Sequence, residues 1–137
     1  LIIPEKASLT SSLNIAFLTD YNINFTTTVL DGLRRFAAYY MSAAKILRVT
    51  HNKEKLSDVQ KRNRDYLKSQ LEEINHSFHV VENKDLEDSF EAFTHKMQIG
   101  IVVMIAKNLN LFQKLLFTPK VAHFTYSTTI PFLILHG

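Results

Sequence analysis

The sequence predicts an α/β domain built on an open five-stranded parallel sheet with helices on both faces. Short apolar stretches of strand length alternate along the chain with longer amphipathic stretches of helical period. Strands that are apolar on both faces need helices above and below them, which is the pattern of a parallel sheet. A length of 137 residues is enough for one domain with a substantial core. The predicted strands are Leu13–Thr19, Ala44–Val49, Ser77–Val81, Ile99–Met104 and Ile130–Leu135.

The first strand ends at Asp20, and a polar loop leads from it to a helix predicted over Thr26–Tyr40. Apolar residues recur in this helix at the spacing that places them on one face. A threonine can cap its start, and Gly32 in its middle indicates a close approach to the sheet. The apolar face consists of Val29, Leu30, Leu33, Phe36, Ala37 and Tyr40.

The next two helices are predicted from caps and apolar stripes. Ser57 caps a helix that runs to Glu73 and carries charge on the rest of its surface. Asp85 caps another, with acidic residues early and basic residues in the last turn, as the helix dipole favours. The stripes are Val59, Leu67, Leu71 and Ile74 in the first of these helices and Leu86, Phe90, Phe93 and Met97 in the second.

The fourth strand, Ile99–Met104, is followed by a polar loop and a short helix predicted over Leu109–Phe117. Thr118 and Pro119 provide the cap and first position of a further helix. In open α/β sheets, ligands bind at the carboxyl ends of the central strands. The loop Ala106–Pro119 is therefore the first place to look for a function.

Composition excludes several classes of protein. Cysteine is absent, so the chain has no disulfide framework, thiolate nucleophile or cysteine zinc site, as expected of a cytoplasmic protein. No apolar run approaches the ~20 residues of a membrane span, and no signal peptide is visible. The net charge is only +3, and basic stretches such as Lys53–Arg64 are typical of solvated helix faces. Neither a nucleic-acid nor a membrane partner is predicted.

The residues that carry common chemistries are not in the required patterns. Only three glycines occur, at positions 32, 100 and 137, so no glycine-rich phosphate loop is present. The six histidines lack the spacing of a metal site, and none is predicted. His123 near Ser127 has no paired acid or oxyanion loop, so a catalytic triad is not predicted.

Several short segments together resemble the universal stress protein family. They are Phe17-Leu18-Thr19-Asp20, Ile101-Val102-Val103-Met104, Leu115-Leu116-Phe117 and a final strand led by Pro131, and their order and spacing span about Leu13 to His136. The resemblance implies the sheet order 3-2-1-4-5 and a Rossmann-like fold of the adenine-nucleotide α-hydrolase type. Residues 13–137 would form this domain, with residues 1–12 as a strand remnant and linker.

The same resemblance defines a candidate nucleotide site. ATP-binding members carry a glycine, two residues, a glycine, nine residues, and then a glycine followed by serine or threonine. Those positions fall at Ile105, Asn108, Thr118 and Pro119, and none of them matches. Ile105 and Thr118 carry side chains where the family keeps the backbone bare, and Pro119 lacks an N–H that could bind phosphate. The candidate nucleotide-binding residues are Asp20, Asn108 and Thr118, although Asp20 could equally cap the first helix.

The last strand is the predicted interaction surface. An uncharged apolar strand at a sheet edge is a template for another strand, and the resemblance implies antiparallel pairing in a homodimer or between tandem domains. Leu1–Pro4 resembles the last strand of another such domain, so the chain is either the C-terminal copy of a tandem protein or one with an ordinary N-terminal extension. The strand residues concerned are Ile130, Phe132, Leu133, Ile134 and Leu135.

Two functions are compatible with these observations. The first is a non-enzymatic stress-response or signalling module that acts through dimerisation, has a degenerate ATP motif and needs no cofactor. The alternative is a sensor that binds AMP or ATP in a modified pocket. A third, more distant reading is an unrelated doubly wound domain such as a small flavin binder.

Overall fold

A computed structural model of the chain describes residues 13–40, 42–50, 55–82, 86–108 and 130–136. Strands and helices alternate through these residues, as the sequence predicts. The elements are β1 (Asn14–Leu18), α1 (Thr27–Tyr40), β2 (Ala44–Thr50), α2 (Asp58–Gln70), β3 (His76–Glu82), α3 (Leu86–Lys96), β4 (Ile99–Ile105), a short 3-10 turn (Ala106–Asn108) and β5 (Phe132–Leu135).

The strands form one sheet in the order β3-β2-β1-β4-β5. All four neighbouring pairs are parallel, so the predicted fold class and strand order are confirmed. β1 lies at the centre, with β2 on one side and β4 on the other. Strands β1 to β3 are added towards one edge of the sheet, and β4 and β5 are added on the other side of β1. The point between β1 and β4 is therefore the switch point at which open α/β sheets bind ligands.

Each face of the sheet carries its own apolar cluster. On one face, Phe17 and Ile46 pack with the inner residues of α1 and with Leu67 of α2. On the other face, Leu18 and Met104 pack with Phe90 and Phe93, which belong to α3. β4 is buried along its whole length. The core therefore has helices on both faces, and its central strands read as continuous apolar runs for that reason.

Two of the predicted helix starts are supported by capping bonds. The Thr26 hydroxyl accepts a hydrogen bond from the Val29 N–H at 3.3 Å, so Thr26 rather than Asp20 caps α1. Ser57 caps α2 through a reciprocal pair, in which its hydroxyl accepts from the Gln60 N–H and its own N–H donates to Gln60 Oε1. Two donors at the helix start are thereby satisfied.

Most element boundaries differ from the predicted ones by one to three residues, and three differences matter for packing and for the sheet edge. Val59 is 48% exposed rather than part of the inner stripe of α2, because the inner positions of the first turns are the polar Gln60 and Asn63, which bond to the loop after β1. β4 extends one residue further, to Ile105. β5 begins at Phe132 rather than Ile130, since Pro131 has no N–H to donate to the ladder, although its carbonyl accepts from Val102.

Some predictions lie outside the described residues. They are the strand remnant Leu1–Pro4, the Asp85 cap, the helix over Leu109–Phe117, and the Thr118-Pro119 start of the next helix. None of the helices within the described ranges is long and apolar enough to cross a membrane. The described residues also contain no cluster of three or more histidine, aspartate or glutamate side chains that could hold a metal ion.

Candidate functional site

The loops after β1 and β4 meet at the carboxyl edge of the sheet. Asn108 Nδ2 donates a hydrogen bond of 3.0 Å to Asp20 Oδ1, which joins residues 88 positions apart in the chain. The structure thus brings together two of the three residues that the sequence suggested for a nucleotide site. Thr118, the third, lies outside the described residues.

The loop that carries Asp20 is fixed by its own side chains. Asp20 Oδ1 also accepts a hydrogen bond of 2.9 Å from the Asn22 N–H. The hydroxyl of the buried Thr19 accepts one of 3.1 Å from the Tyr21 N–H. Between these turns Tyr21 adopts φ 64°, a left-handed conformation that is unusual for a bulky residue. The carboxylate of Asp20 is therefore held in one position by a tightly wound loop.

Helix α2 anchors the same loop from the other side. Gln60 Nε2 donates to the carbonyl oxygen of Asp20 at 2.9 Å, and Asn63 Nδ2 donates to that of Tyr21 at 2.7 Å. Gln60 and Asn63 were not predicted as site residues. The spacing of Ser57 and Gln60 indicates the capping bond between them. The bond from Gln60 to the Asp20 carbonyl depends on tertiary packing, so the local sequence does not indicate it.

On the β4 side, two side chains are buried, one at the end of β4 and one at the end of the 3-10 turn that follows it. Ile105 is 2% exposed and packs in the cluster shared with α1 and α2. Asn108 is 4% exposed, and its Oδ1 has no hydrogen-bond partner within the described part of the chain. At the first two of the three positions where the family resemblance places glycines, this chain therefore has one core residue and one buried amide.

Among the described residues, this edge offers hydrogen-bonding groups and the charged side chains of Asp20 and Lys107. Asp20 supplies a carboxylate and Asn108 an amide with an unused acceptor. Thr19, the hydroxyl residue next to Asp20, is fully buried. Lys107 is exposed, and it is the kind of group that could attract an anion to the loop. This arrangement could bind a donor group but contains no nucleophile paired with a base among the residues described.

Comparison with known proteins identifies the fold. The sequence matches no protein-family model and no curated protein. Among solved structures, a universal stress protein in complex with cAMP superposes with a TM-score of 0.55 at 14% identity, covering 90% of this chain and 96% of that one. A universal stress protein family member from Burkholderia pseudomallei gives a TM-score of 0.52 at 12% identity, covering 89% and 95%. The chain has the universal stress protein fold.

Proposed function

We propose that this chain is a universal stress protein-like domain whose nucleotide site is degenerate, and which acts as a non-enzymatic cytoplasmic signalling module through dimerisation. One observation carries the first part of the proposal: the buried Asn108 amide bonds directly to the Asp20 carboxylate. The Asn108 amide therefore already bonds to the Asp20 carboxylate oxygen that the fold would offer to a ligand at its switch point.

The β4 loop adds two further reasons. Phosphate binding at such loops depends on backbone N–H groups that the anion can approach closely, which is why glycines are used there. Ile105 places a buried side chain at the start of this loop. Asp20 also contributes a negative charge that no described cation pairs with. These features disfavour a triphosphate at this edge.

Calorimetric titration with ATP and AMP, with and without Mg²⁺, tests the proposal. We expect neither nucleotide to bind with a Kd below about 1 mM, which corresponds to less than about 4 kcal/mol of binding free energy. The Asp20→Ala variant should give the same flat titration, with its fold checked by circular dichroism. Micromolar binding to the native chain that disappears in Asp20→Ala would show that the degenerate-site proposal is wrong.

A second candidate is the nucleotide sensor, and one observation favours it. A buried carbonyl without a partner costs about 1–3 kcal/mol, and Asn108 Oδ1 is such a group within the described residues. A ligand donor such as an adenine amine would relieve that cost. For this candidate, AMP should bind the native chain, and Asn108→Leu should weaken binding at least tenfold.

The proposed dimer uses β5, which lies at the edge of the sheet next to β4. The Pro131 carbonyl accepts a hydrogen bond of 3.0 Å from the Val102 N–H. Backbone groups alternate in direction along a strand, so those of Leu133 face β4 and those of Ile134 face outward. Half-buried Leu133, Ile134 and Leu135 leave apolar surface beside these groups. An outward N–H with apolar neighbours and no charge is a template for strand addition.

Removing the outward-facing N–H of Ile134 should separate the dimer into monomers. We expect the native chain to be a dimer by size-exclusion chromatography with light scattering, and Ile134→Pro to be a monomer at the same concentration. Proline removes the N–H, and edge strands tolerate it. Ile134→Val keeps both the donor and the apolar surface and should remain dimeric. A native chain that is monomeric at high concentration would contradict the role given to β5.

A further inference from the structure

A pocket of about 410 Å³ is lined by Tyr21, by residues at the start of α2 and by residues of β2 and β3. Small-molecule sites typically have volumes of about 300–1,000 Å³, so this pocket is large enough for a ligand. It is lined by neither Asp20 nor Asn108. β2 and β3 form the side of the sheet away from β4, so the pocket is separate from the degenerate nucleotide site.

Positive charge dominates the wall of this pocket. Arg48 of β2, Lys55, and Lys61 and Arg64 of α2 all line it, and no carboxylate is among its described lining residues. Arg64 does approach Asp65, but at 3.6 Å and with 40% and 70% of the two side chains exposed. Exposed ion pairs of this kind contribute little, so Arg64 can turn to a ligand. The wall is suited to an anion.

Apart from Tyr21 and His79, the other lining residues of the pocket are apolar. Leu56 and Phe78 are partly buried and pack against the cluster under α1 and α2. Val80 lines the pocket and is 62% exposed, so its side chain is accessible to a ligand there. Exposed apolar surface beside charged groups is typical of a ligand site. The ligand therefore needs an apolar body as well as a negative group.

Tyr21 contributes a neutral phenol. It is 2% exposed, and its burial raises its pKa to about 12, against the opposing effect of the nearby Arg64 and Arg48. The phenol thus carries no negative charge at neutral pH. Arg48 and Arg64 line the same pocket as Tyr21, so positive charge also faces this part of the pocket.

The pocket is framed by fixed groups. The α2 start is closed by the reciprocal Ser57 and Gln60 bonds, and Gln60 and Asn63 hold the backbone of the Asp20 and Tyr21 loop. These bonds join the helix and the loop that form two of its walls. A site that exists before the ligand arrives loses less free energy to ordering when the ligand binds.

We propose that this pocket binds a small organic anion with an apolar body, held by Lys61 and Arg64 at its charged end and by Leu56, Phe78 and Val80 along its apolar part. The proposal does not depend on the degenerate nucleotide site, because the two share no lining side chain. It assigns a ligand-binding role to the side of α2 that carries Lys61 and Arg64.

Fluorescence titration with anilinonaphthalene sulfonate tests this proposal, since the dye joins a sulfonate to an apolar body. We expect saturable binding by the folded native chain. Removing one positive charge in Arg64→Gln or Lys61→Gln should weaken dye binding roughly tenfold, which is the loss expected for one charge-assisted contact. N-phenylnaphthylamine has no sulfonate and should bind the native chain and these variants equally weakly.

Two further variants separate a pocket from general surface charge. Arg62→Gln removes the same charge from the same helix at an exposed position that does not line the pocket, and should bind the dye like the native chain. Val80→Glu places a carboxylate on the exposed strand surface at the pocket, and should abolish binding without unfolding the chain. Equal losses in Arg62→Gln and Arg64→Gln, or unchanged binding in Val80→Glu with circular dichroism showing a native fold, would overturn the proposal.

Discussion

Gly100→Ala is expected to lower the free energy of unfolding by about 1–3 kcal/mol, the usual cost of adding atoms to a packed core. A Cβ at this position would lie 2.4 Å from the Leu13 Cβ and 2.9 Å from its Cδ1. The pairing of β1 with β4 shifts here, because Asn14 is paired with Ile99 whereas Ile15 is paired with Ile101. Gly100 is the extra residue of this bulge, and it is needed for space rather than for a positive φ.

The start of β1 cannot easily move away from the added methyl group. The Leu13 carbonyl accepts a hydrogen bond of 2.6 Å from the Ser42 hydroxyl. The Asn14 N–H donates to the Gln98 carbonyl at 2.8 Å, and its Nδ2 donates to the Met97 carbonyl at 2.9 Å. Relief of the clash therefore requires these bonds to lengthen or the strand to shift.

Chemical denaturation of Gly100→Ala and Gly32→Ala side by side provides the measurement and its control. At Gly32 an added Cβ would lie 3.6 Å from the nearest Leu135 atom, an ordinary van der Waals distance. Because glycine inside a helix is less stable than alanine by about 1 kcal/mol, Gly32→Ala should stabilise the chain. A destabilisation of equal size in both variants would contradict the account of the bulge.

Periodicity and caps were sufficient to predict the described elements. The Ser57 cap, the inner position of Leu67 and the continuous burial of β4 follow from local sequence. Strand order could not be derived this way, because alternating strands and helices fit several sheet orders. The order was predicted only through the resemblance to a family, and the sheet confirms it.

The candidate site was harder to predict because its contacts join distant parts of the chain. Asp20 and Asn108 were both identified by their motif positions, but their direct bond required the packing of β1 beside β4. Lys61 and Arg64 were interpreted as part of a solvated helix face. They line a pocket only because the fold brings them beside Arg48 of β2 and the β3 residues Phe78 and Val80. Charge patterning along one helix cannot reveal such a convergence.

Phe17→Ala should have the largest effect on stability, with a loss of about 3–5 kcal/mol as found for buried aromatic residues cut to alanine. Phe17 is fully buried in the central strand. Its ring lies 6.2 Å from that of Phe25, centroid to centroid, and Phe25 is itself 5% exposed in the segment between Tyr21 and α1. Denaturant unfolding of the native chain and the variant measures the loss.

Phe17→Leu is the matched control, because it keeps most of the apolar volume and should cost less than about 1.5 kcal/mol. The comparison also bears on function. Phe17 holds Phe25 against the sheet, and the segment between them contains the left-handed Tyr21 that lines the anion pocket. Phe17→Leu should therefore retain dye binding, whereas the cavity left in Phe17→Ala should weaken dye binding even under conditions where the chain is still folded. If Phe17→Ala loses stability but binds the dye with native affinity, the pocket does not depend on the packing beneath its loop.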